Sequence, residues 1–208
     1  FLGAGLGLFM KASLQRMKTV ALTTTGLSLL TVIGTSLTQG EAAAAPSLLC
    51  LLPATAFLTL LGQPLHRDNS SAWMMTLILL GVALGILTTH TTTQKLLLML
   101  LLGLVCGLLY RHQQGSAPAI WRGMSSFGLG IATALMALTL PAPASTIASL
   151  ITCATLLPLL PAHSGFVATL SVLPGNLPAW LAFILPTVGF QSLYLLLPSL
   201  SGTVLQTV

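Results

Sequence analysis

Of 208 residues, 55% are hydrophobic and only 4% are charged, where a soluble domain carries about 25% charged residues. So few charges cannot cover a water-facing surface, which excludes an ordinary soluble globule and predicts an all-α, polytopic transmembrane helix bundle forming a single domain over residues 1–208. The net charge of +5 does not point to nucleic acid, because the cations are few and lie between apolar runs, where they read as topology signals.

No stretch alternates apolar and polar residues with period two, which argues against a transmembrane β-barrel. Cys50, Cys106 and Cys153 are isolated within apolar runs. Their odd count and lack of ligand spacing argue against a disulfide framework and against a metal site. Phe1 opens the chain in place of methionine, which is read as a removed targeting segment or a missing beginning.

In chain order, residues 1–10 are apolar but too short to span. Lys11, Arg16 and Lys18 follow. Residues 19–37 predict a first spanning helix whose Thr and Ser side chains bond their own backbone or a neighbour. Residues 43–62 predict a second, kinked at Pro53. After the loop with His66, Arg67 and Asp68, a third helix starts near Ala72 and a fourth ends near Tyr110. Residues 123–140 predict a fifth, ended by Pro141 and Pro143, and residues 145–160 a sixth. Residues 162–173 are too short to span and read as half of a broken helix. Pro158, Pro161, Pro174, Pro178, Pro186 and Pro198 break the tail repeatedly, leaving 179–197 as a last helix. The expectation is about seven spans.

Alternate threading of the first five helices places loops 11–18, 63–71 and 111–122 on one side. They hold six of the seven Lys and Arg residues, the asymmetry that the positive-inside rule predicts. The exception is Lys95, in the polar knot Thr88–Lys95 between two long apolar runs. A lysine at the centre of a lipid-embedded helix costs roughly 2.5–3.5 kcal/mol, so Lys95 is a functional-site candidate. The competing reading is a solvent-exposed turn from which Lys95 snorkels. If the fourth helix starts near Thr88, Lys95 lies about 10 Å along it, inside the hydrocarbon. There burial would lower its pKa toward a value useful for proton transfer, with His90, Thr91 and Thr92 holding water.

Three stretches carry a further pattern. Residues 18–30, KTVALTTTGLSLL, bring Lys18, Ala21, a threonine run and Gly26. Residues 90–107, HTTTQKLLLMLLLGLVCG, bring His90, Lys95 and Gly103. Residues 156–170, LLPLLPAHSGFVATL, bring Pro161, Ser164, Gly165 and Phe166 in order. Together they resemble the antiporter-like membrane subunits of respiratory complex I, over residues 18 to about 195. The match is to the later part of that fold, with an extra helical hairpin before Lys95.

The resemblance implies that Lys95 is the protonatable residue of a proton path, that His90 is a relay, and that Pro161, Gly165 and Phe166 mark a broken helix. Thr169 stands where the family carries a further lysine. A second register would put the lysine helix on 53–66, with Pro53, Phe57, Gly62 and His66. The resemblance also implies other membrane subunits of a large respiratory complex and lipid as partners, with no cofactor held by this chain. It favours the mitochondrial inner membrane, with a bacterial plasma membrane as the alternative. Arg16 and Lys18 read as topological or interface charges. His66 and His112 read as interfacial.

A rival pattern pairs Ser125, in Gly123-Met124-Ser125, with His163. It is similar to the serine and histidine of rhomboid intramembrane proteases, and such chemistry needs the base within hydrogen-bond reach of the serine.

Overall fold

The computed structural model describes residues 13–39, 45–66, 69–89, 92–111, 117–159 and 163–204. Among the described residues there are eight α-helices and no strand: α1 (Leu14–Gln39), α2 (Ala45–Leu61), α3 (Asn69–Thr88), α4 (Thr92–Arg111), α5 (Ala117–Thr139), α6 (Ala144–Leu156), α7 (His163–Val172) and α8 (Leu177–Val204). Among the described residues four stretches are long and apolar enough to cross a membrane: Leu14–Thr35, Asn69–Thr88, Thr92–Arg111 and Leu177–Leu197. The arrangement fits a helical membrane bundle.

The count of about seven spans does not hold. Among the described residues the apolar stretches Leu49–Leu61, Gly123–Thr139 and Ala144–Leu156 are shorter, although α5 as a helix runs for 23 residues. The 13 residues of α6 rise only about 20 Å at 1.5 Å per residue, against ~30 Å of hydrocarbon. Proline sets the C-terminal limits of α5 and α6. Pro141 follows the end of α5, and Pro158 lies in the turn that ends α6 at Leu156 rather than at 160. The tail departs from expectation in the other direction, because α8 runs unbroken through Pro186 and Pro198 for 28 residues. Pro53 likewise sits inside α2. In apolar surroundings a helix survives an internal proline when neighbouring groups re-satisfy the freed carbonyl.

The described residues group into two compact units, 13–84 with 174–183, and 85–173 with 184–204. In the first, α1 packs on α2. Ala21, Leu60, Trp73, Met74 and Leu77 form a buried cluster, flanked by Met17, Leu22 and Ile78. Asn176 ties the short C-terminal segment to α3, its Nδ2 donating to Thr76 Oγ1 at 2.8 Å. Its backbone carbonyl accepts from the Trp180 backbone N–H at 3.0 Å, which opens α8. Gly175 precedes it at φ +63°, where a Cβ would come within 3.0 Å of Asn69 Oδ1 and 3.1 Å of Ala72 Cβ. Only glycine suits that backbone and that gap.

In the second unit α5 is the central element, packed on α4, α6 and α7. Gly123 and Gly130, seven residues apart and so on one face, let the helices approach. A Cβ on Gly123 would lie 2.8 Å from Thr169 Oγ1 of α7 and 3.2 Å from Leu109 of α4. A Cβ on Gly130 would meet Thr155 of α6 and Leu102 of α4. A buried hydroxyl pair, Thr133 and Thr152 at 2.9 Å, joins α5 to α6.

Most described hydroxyls bond back to their own helix. In α1 alone, Thr19, Thr23, Thr24, Thr25, Ser28, Thr31 and Thr35 each donate to a carbonyl three or four residues earlier. This is how a Thr-rich helix satisfies its polar groups where water is absent.

Candidate functional site around Lys95

The polar knot does not belong to a helix beginning near Thr88. Thr88 ends α3, and α4 begins at Thr92. Threonine hydroxyls compete with helical backbone bonding, and those of Thr88 and Thr89 both donate to the Gly85 carbonyl, at 3.3 and 2.7 Å. Lys95 therefore stands in the first turn of α4, about 4.5 Å along its axis rather than 10 Å. That is the positive end of the helix dipole, an unfavourable place for an ammonium group.

What holds it there is the other end of α5. The half-buried Lys95 Nζ donates to the Ala137 carbonyl at 2.9 Å. The residue that would satisfy this carbonyl within a continuing helix is four positions on, and it is Pro141, which has no N–H. Ala137 itself is 3% exposed, so its carbonyl is a buried acceptor deprived of its own donor. Lys95 supplies a charged one at the negative end of α5.

Lys18 does the same for the first unit. Its Nζ donates to the carbonyl of Leu61, at 3.3 Å, and to that of Gln63, where α2 ends. The lysine is half-buried and caps a neighbouring helix. Removing this cap with Lys18→Met should speed amide exchange at Gly62 and Gln63 roughly fivefold, the equivalent of ~1 kcal/mol. Hydrogen–deuterium exchange measures it, and unchanged rates there would refute the assignment.

Beside Lys95 lies a cavity of about 40 Å³ lined by Gln94, Lys95, Leu98, Ala134, Ala137, Ser149, Thr152, Cys153, Ser192 and Leu196. Room of that size admits about three waters at ~10–15 Å³ each. Its hydroxyls divide into two kinds. Ser149 donates to Ser145 O at 2.8 Å, and Thr152 to Ala148 O at 3.0 Å. Ser192 is buried and accepts from Gln94 Nε2 at 3.5 Å, the outer limit of a hydrogen bond.

His90 and Pro161 lie outside the described residues. Gly165 and Phe166 are buried in α7. Thr169 donates to the Gly165 carbonyl at 2.8 Å and abuts Gly123, so its position is taken up by close helix packing. Arg16 is exposed, beside Ser13, Gln15, Thr19 and Val20 along an open groove at the start of α1. Ser125 and His163 are both exposed, on α5 and at the first residue of α7. The residues that meet between those helices are Gly123, Gly165 and Thr169. Among the described residues no three His, Cys, Asp or Glu side chains group as metal ligands.

Sequence reasoning found Lys95 but missed its surroundings. The signal for Ala137 was present in Pro141, four residues on. Nothing in the sequence pointed to Ser192, on a helix nearly a hundred residues away. No family model, curated protein or solved structure matches this chain.

Proposed function

We propose that the chain is an integral membrane subunit of a proton-translocating complex. The motifs make it most like a shortened, divergent subunit 2 of NADH:ubiquinone oxidoreductase, with subunits 4 and 5 next. The observation that carries this reading is a half-buried lysine opening on a small cavity with Gln94, Ser149, Thr152 and Ser192. An amine with two or three waters and accepting hydroxyls beside it is the minimum for a proton relay. On this reading the chain does no redox chemistry of its own. NADH and quinone are handled by partner subunits, which also supply further acids and bases. The complex sits in the mitochondrial inner membrane or a bacterial plasma membrane.

A second reading has its own support. Lys95 caps the Ala137 carbonyl and Thr169 stands in place of the other lysine, as in a structural module whose channel has degenerated. The first test is the mass of the native assembly in mild detergent, with its co-migrating chains identified. A large particle carrying flavin and iron–sulfur subunits is expected. In it, Lys95→Ala should abolish this subunit's share of proton pumping while electron transfer continues. Unchanged pumping would favour the structural module. A monomer or small homo-oligomer would sink both, leaving an autonomous transporter or a protease, with Ser125 and His163 the next residues to mutate.

A further inference from the structure

The Lys95 cavity is lopsided in its hydrogen-bonding capacity. On one side are Ser149 and Thr152, whose hydroxyl protons go to backbone carbonyls. On the other, donors remain unspent. The Lys95 ammonium has three protons, and among the described residues one of them is used, on Ala137. Ser192, 2% exposed, accepts from Gln94 but donates to no group among the described residues. Other cavity hydroxyls donate to the carbonyl four residues back; this one does not. The Gln94 amide nitrogen, reaching Ser192 only at 3.5 Å, adds a further weakly held donor.

The charge is equally one-sided. Among the described residues the ammonium faces the cavity without a carboxylate. A buried cation is retained only when paired or well hydrogen-bonded. One carbonyl is a dipole, not a counter-charge. Surplus donors, a net positive charge and room for about three waters define the chemistry of what would fit.

We infer that this cavity binds a small monovalent anion of halide size, held by the Lys95 ammonium and the Ser192 hydroxyl with Gln94 beside them. The apolar remainder of the wall, Leu98, Ala134 and Leu196, suits a soft, weakly hydrated halide better than it suits sulfate, which is bigger and divalent. This goes beyond the proposed function and does not depend on it: an anion site would exist in an isolated chain and in a complex alike.

Cys153 lines the same cavity and is 1% exposed, so it reports on occupancy. In a Cys50→Ala, Cys106→Ala background of the full chain, modification of Cys153 by methyl methanethiosulfonate would be followed by mass spectrometry. Sodium bromide would be compared with sodium gluconate at equal ionic strength. Bromide should slow the modification saturably in the parent and leave Lys95→Met unaffected. Ser192→Ala, which keeps the charge, should need about tenfold more bromide for half-protection, the loss of one charge-assisted hydrogen bond.

Equal rates in bromide and gluconate would overturn the proposal and mark the cavity as holding water only. Protection retained in Lys95→Met would overturn it too. Should Lys95→Met fail to accumulate, the Ser192→Ala titration decides alone, and unchanged half-protection counts against the site. Halide protection is read on the chain by mass spectrometry and proton pumping in the assembled complex, so the two readings fail separately.

Discussion

Replacing Lys95 with methionine is expected to destabilise the chain by about 1–3 kcal/mol, the cost of leaving a buried acceptor without its donor. The methionine keeps the aliphatic stem in place, so the loss reports on the ammonium group. Water in the adjoining cavity takes over part of the bond, which places the effect toward the lower end of that range. The decisive measurement is a double-mutant cycle with Pro141→Ala, read as unfolding midpoints in detergent. An alanine at 141 returns the N–H whose absence strands the Ala137 carbonyl. In that background Lys95→Met should cost less than half as much, and the difference is the coupling between the lysine and the proline. Pro141→Ala also loosens the unfolded chain, but that contribution appears in both arms and cancels. Equal costs in the two backgrounds would show that Lys95 does not serve as the missing donor. The cycle also separates stability from transport: if Lys95 carries protons, the doubly substituted chain folds well and still fails to pump.

The lysines show what was legible in the sequence and what was not. Lys95 stood out because it interrupts two apolar runs, and that pattern needs no structure. Its depth needs the helix boundary as well: the six consecutive residues of Thr and His from Thr88 to Thr93 are poor helix formers, and the hydroxyls of Thr88 and Thr89 turn back on the backbone. Moving the helix start to Thr92 changes Lys95 from a mid-helix charge to a first-turn residue serving another helix. The position of Lys18 between apolar runs marks it as a topological or interface charge. Its bonds to the Leu61 and Gln63 carbonyls give it a packing role as well, one that depends on which helix end lies beside it. The span count failed for a related reason. Hydropathy registers apolar content but not where proline ends a helix, so 145–160 looked long enough while α6 stops at Leu156. Proline was then over-read at Pro186, which lies inside the continuous α8.

Close helix approach was the least legible feature, and it yields the second large expected effect. Gly128 and Gly130 are two residues apart on α5, and their sequence contexts are nearly interchangeable: FGLGIA. Their surroundings are opposite. A Cβ on Gly128 meets nothing within 4 Å, whereas one on Gly130 runs into the Thr155 side chain and comes to 3.0 Å from Leu102 Cδ1. Leu102 can yield, because the contact is with the end of a flexible chain. Thr155 is β-branched, buried and held by its bond to the Thr152 carbonyl at 2.8 Å, so α5 and α6 must move apart instead. Gly130→Ala should therefore destabilise by about 1–3 kcal/mol, while Gly128→Ala should be neutral or stabilise by up to ~1 kcal/mol through helix propensity. Thr155→Ala makes the space that a Cβ at 130 needs. The pair Gly130→Ala with Thr155→Ala should recover most of the loss, although Thr155→Ala alone lowers stability slightly. Because Thr133 and Thr152 bridge the same two helices at 2.9 Å, and Thr152 lines the Lys95 cavity, separating α5 from α6 should also open the cavity and raise the modification rate of Cys153. If Gly130→Ala unfolds at the midpoint of Gly128→Ala, the two helices are not held as closely as this packing requires.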